Sequence, residues 1–135
     1  MVRGMDSEVT DGAGEVPRTM AAVVQRAYGD SEVLVTGRIA VPTPGAKEVL
    51  VRVQAAGLDR GVWHLMAGRP LLVRPFTGLR RPRRQVPGLD LAGTVVAVGD
   101  RVTEFAGGDA VYGVGQGAFA EYAVAAAGKL APKPA

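Results

Sequence analysis

A mainly β fold, a barrel or sandwich rather than a helical bundle, is what this 135-residue sequence predicts, and three observations carry the prediction. Short β-branched runs recur along the chain, each broken by glycine or proline; there are 19 Gly and 9 Pro in all. Apolar residues make up 47% of the chain, yet only one Trp, three Tyr and three Phe are among them, so Val and Ala supply much of the core material. The length suits one domain and is enough to bury a real core.

The elements follow in order. Residues 1–19 are polar, Gly-containing and aperiodic, and read as a disordered tail. Met20 opens the apolar run Met20-Ala-Ala-Val-Val-Gln-Arg26 and reads equally well as the start of the protein. Pro42-Thr-Pro-Gly45 is turn chemistry. From Glu48 to Gln54, Val49, Val51 and Val53 alternate with Leu50, Arg52 and Gln54, which predicts a half-buried strand. Only Arg60 to Ala67 has the spacing of a short helix. A further strand is expected over Thr94–Val98, turning tightly at Gly99-Asp100 and resuming at Arg101-Val-Thr103. Gly107-Gly108 leads into a strand at Asp109–Tyr112, and Ala118–Val124 reads as the last one. Gly88 and Gly93 bracket a strand entry where backbone passes close to another surface, and Gly99 and Gly113 end strands where positive φ is expected. The final residues, about 131–135, read as a linker.

Composition excludes several functions. With no Cys and a single His, disulfides and thiolate metal sites are impossible, and a zinc site lacks its usual ligands. No apolar run approaches the roughly 18 residues of a membrane span, and the first residues lack a signal peptide's apolar core, so a cytoplasmic protein is expected. The formal net charge of +3 is unevenly spread. Seven Arg and no Asp or Glu lie between Arg60 and Arg84, whereas Met1 to Thr19 carries four acids and two Arg. Arginine runs invite a nucleic-acid reading, but in the loop from Arg69 to Arg84 only Phe76 could stack on a base. A solvated rim is the better expectation, and no nucleic-acid or membrane partner is expected. Gly113-Val-Gly-Gln-Gly117 resembles a dinucleotide fingerprint superficially, but the continuation is strand-like and the third glycine is missing.

Three segments together resemble medium-chain dehydrogenase/reductases: Pro42 to Gly57 (PTPGAKEVLVRVQAAG), Val86 to Gly99 (VPGLDLAGTVVAVG), and Val102 to Gly113 followed by Gly117-Ala-Phe-Ala-Glu-Tyr122. The likeness runs from Met20 to the C-terminus and is strongest to zinc-lacking alcohol dehydrogenases and quinone oxidoreductases. It implies a GroES-like, partly open β-barrel over residues 20–135 with one or two short helices, and a Rossmann domain that is absent from this chain. The family reaction is NAD(P)-dependent hydride transfer to or from a carbonyl, enone or quinone, with a homo-oligomer possible and little activity expected of this chain alone. Zinc-containing relatives carry a Cys where Asp59 stands and a His where Leu89 stands, so no zinc is expected.

Carried over from the resemblance, Asp59 lies near the nicotinamide, Arg60 near the cofactor pyrophosphate, His64 at a proton-relay position, and Trp63 and Asp90 in the substrate pocket. Arg pairs bidentately with phosphate, and His moves protons near neutral pH. The same residues also fit plainer roles: Asp59 as a turn cap, Arg60 as a surface charge, His64 and Trp63 as structural groups. Two other functions remain open at this level, a stand-alone binding module using the Arg-rich loop 69–84, and a non-functional gene fragment.

Overall fold

The computed structural model describes residues 16–58, 67 and 86–134. Seven strands form the framework: β1 (Thr19–Gln25), β2 (Leu34–Ala40), β3 (Glu48–Ala56), β4 (Asp90–Val98), β5 (Ala110–Val114), β6 (Tyr122–Ala126) and β7 (Leu130–Pro132), with 3-10 turns at Ser31–Val33 and Ala127–Lys129. The first two pair as an antiparallel hairpin, and the other five form an antiparallel sheet in the order β6-β3-β4-β5-β7.

The turn signalled by Pro42–Gly45 closes at Glu48. The Glu48 N–H donates to the Gly45 carbonyl (3.0 Å), and the Glu48 carboxylate accepts from the Gly45 N–H at 2.8 Å. From there β3 runs as the sheet's second strand, paired on both sides, with two bulges against β4, one at Val96 of β4 opposite Leu50 and Val51 and one at Gln54 of β3. Each bulge bends the strand and sharpens its twist, which curls the sheet towards a barrel. At Gly93 the two backbones come so close that a Cβ would collide with the Arg52 carbonyl oxygen, which is the close approach expected there.

Two hydrophobic clusters lie on opposite faces of this sheet. Val49, Val51, Leu91, Val95, Val111, Ala118, Ala123 and Ala127 form one. Met20, Leu50, Tyr122 and Val124 form the other, beneath the β1–β2 hairpin. The strand over Glu48–Gln54 is half-buried as expected from Arg52 onward, where Arg52 and Val53 are partly covered and Gln54 is exposed, but its start is covered on both faces. Leu50, on the face opposite Val51, is covered as completely as Val51 because the hairpin folds over it.

The hairpin is held by a seam with the segment before β6. The Val23 N–H donates to the Phe119 carbonyl (2.8 Å), the Glu121 N–H to the Ala21 carbonyl (3.1 Å), and the Ala21 N–H to the Glu121 carboxylate (2.7 Å). The two sheets meet along this seam and stay separate sheets, so the barrel is partly open. Gln25, the buried polar residue at the end of β1, donates its amide to the Ala27 carbonyl at 2.8 Å.

Four expectations need correction. The chain does not resume as a strand at Arg101–Thr103. Instead the Gly99 and Arg101 N–H groups donate to the Glu48 and Ala46 carbonyls, both at 2.8 Å, and Val102 turns back onto the Gly99 carbonyl (3.1 Å). Long-range bonds to the start of β3 thus override the local hairpin signal. Gly113 has positive φ (153°), but Gly99 does not; it is needed because a Cβ there would strike the Gly45 carbonyl. Residues 119–121 serve the seam, with Ala120 bridged to Ala22, Ala118 donates to the Gly88 carbonyl, and the strand itself begins at Tyr122. The supposed linker carries β7, whose Leu130 to Pro132 pair with Gly113 to Val111. Of the expected tail, residues 1–15 lie outside the described residues, while Val16 packs against the second cluster and Thr19 opens β1. Of the helix expected over Arg60–Ala67 only Ala67 is described, and it is helical and buried.

Candidate functional site

Asp90, the described member of the expected site, lies where β4 begins, beside the end of β3. The chain leaves β3 through Gly57 and Leu58, and it returns through Val86-Pro-Gly-Leu89 into Asp90. This return segment is fixed by backbone bonds to the loop after β5. The Gly88 carbonyl accepts from the Gly117 and Ala118 N–H groups (both 3.1 Å), the Leu89 carbonyl from Gly115 (2.7 Å), and the Pro87 carbonyl from Phe119 (3.0 Å). Gly88 adopts φ +106°, and a Cβ on it would meet Phe119 at 2.8 Å, so the clamp depends on glycine.

Asp90 is the first residue of β4 and sits between two strands. It lies opposite Val114 of β5, and its carbonyl accepts from the Gly57 N–H at 2.9 Å. Its side chain is half-buried and lies over Gly57, where an added Cβ would come within 2.9 Å of the Asp90 Cβ and 3.2 Å of Oδ2. Gly57 therefore makes the room that lets the Asp90 carboxyl rest across the end of β3. This role was not part of the sequence reading; its one signal there is a glycine directly after the strand. Leu58 is 81% exposed at the same edge, and Val114, across β4, is 40% exposed. A carboxylate bordered by apolar side chains can orient a polar group on a mainly apolar ligand.

Of the five expected site residues, Asp90 alone is described. Asp59, Arg60, Trp63 and His64 lie outside the described residues, as does the Arg-rich loop 69–84. Among the described residues no group of three His, Cys, Asp or Glu is placed to hold a metal ion. They also offer no pyrophosphate cradle. Gly113 lies within β5, Gly115 is buried against Leu91, Gln116 bridges to Val124, and the chain continues to β6 rather than into a helix. No helix of the described residues is long and apolar enough to cross a membrane.

The alcohol dehydrogenase GroES-like domain family matches residues 45–135. A quinone oxidoreductase from Lama guanicoe is 39% identical over 113 residues, covering 81% of this chain and 32% of that protein. Among solved structures, an alcohol dehydrogenase superfamily protein from Novosphingobium aromaticivorans superposes with a TM-score of 0.67 at 36% identity, over 86% of this chain and 34% of its own. A mycobacterial protein solved in complex with NADPH gives 0.71 at 29% identity, over 85% of this chain and 32% of its own. The chain thus spans about a third of the length of the relatives it matches.

Proposed function

The chain belongs to the alcohol dehydrogenase GroES-like domain family, and from that membership we propose that it forms the substrate-facing domain of a zinc-independent, NAD(P)-dependent oxidoreductase acting on quinones, enones or related carbonyls. The likeness to quinone oxidoreductases over four-fifths of the chain carries this reading. The nicotinamide supplies the hydride, and the described residues do not fit the role of its main holder, because they lack a helix N-terminus behind a glycine-rich turn.

This chain's own part is to shape and polarise the cleft wall. Asp59 and Arg60 are assigned to the cofactor side, where Arg60 would pair with the pyrophosphate. Asp90, Trp63 and the edge around Leu58 line the substrate side, and His64 is assigned to a proton relay. With Leu89 where zinc relatives carry a His ligand, hydrogen bonds and ordered water polarise the carbonyl. The 135 residues alone are expected to turn over no substrate.

Nuclear magnetic resonance titration of the labelled chain, with NADPH and separately with a benzoquinone, tests the reading. Shift changes are expected to gather at Leu58, Leu89, Asp90, Val114 and residues 59–64, with NADPH binding weaker than about 100 µM, or about −5.5 kcal/mol. Changes confined to the outer face of β2, or low-micromolar NADPH binding, would overturn it.

A further inference from the structure

We draw no further inference here: the strongest candidate, the exposed apolar face that Ala92, Tyr112 and Val114 form on β4 and β5, carries nothing because nothing in the structure shows what covers it.

Discussion

Gly93 and Gly108 separate two reasons for which a fold needs glycine. At Gly93 a methyl group would run into the Arg52 carbonyl of the neighbouring strand, and neither backbone can yield without breaking ladder bonds. Gly108 has φ +96° but nothing within 4 Å of its Cβ position. Gly93→Ala is therefore expected to cost about 3 kcal/mol, in the range of strained or overpacked sites, and Gly108→Ala about 1 kcal/mol of backbone strain. Urea unfolding of both variants checks this; equal losses would refute the close-approach account. Tyr122 gives a second test. Burial pushes its phenol above the ordinary value of 10.0, Arg52 opposes the shift and Glu121 adds to it. A folded pKa above the unfolded one means that stability is intact below pH 10 and falls as pH rises through the folded value. Tyr122→Phe is expected to remove part of the loss seen once the pH rises above 10. At pH 7 it should change stability by no more than about 1 kcal/mol, since no described residue hydrogen-bonds its hydroxyl. Unfolding midpoints of both proteins at the two pH values decide it. The positions of both glycines can be read in the sequence, but which of them faces another backbone depends on a strand about forty residues away.

At the scale of the element, β3 shows what alternation can and cannot tell. The alternation in Val49-Leu-Val-Arg-Val53 identifies the strand and sorts its faces, and β3 does run over those residues. The same pattern cannot say whether the second face meets water. Here the β1–β2 hairpin covers its start, so Leu50 and Val51 are both buried while Gln54 stays exposed. Leu50→Ala and Val51→Ala are each expected to cost at least about 2 kcal/mol, whereas Val35→Ala, on the exposed side of β2, should stay within about 0.5 kcal/mol. A cheap Leu50→Ala measured by denaturant unfolding would restore the one-sided strand. The misread hairpin at Gly99 has the same origin. A Gly-Asp pair permits a tight turn, but the bonds to Ala46 and Glu48 decide where the chain goes next.

For the whole molecule, the expectation of no bound zinc rests on atoms the chain does not possess. Without Cys, with His64 as its one imidazole and with Leu89 in place of a ligand, the dialysed protein is expected to hold far less than one zinc per chain by elemental analysis. About one tightly bound zinc would contradict the proposed chemistry. The family, the mainly β class and most of the strands were legible in the sequence. Each rests on local evidence: alternation of period two, turn residues, and glycine-rich motifs in a fixed order. Tertiary structure alone decided the pairing order β6-β3-β4-β5-β7, the burial of both faces at the start of β3, and the use of Leu130–Pro132 as an edge strand rather than a linker. It also decided that Gly57 makes room for the Asp90 carboxyl. The physical reason is common to all four. Each is a contact between segments far apart in the chain, and its free energy depends on which surface arrives from elsewhere, which no local pattern of residues encodes.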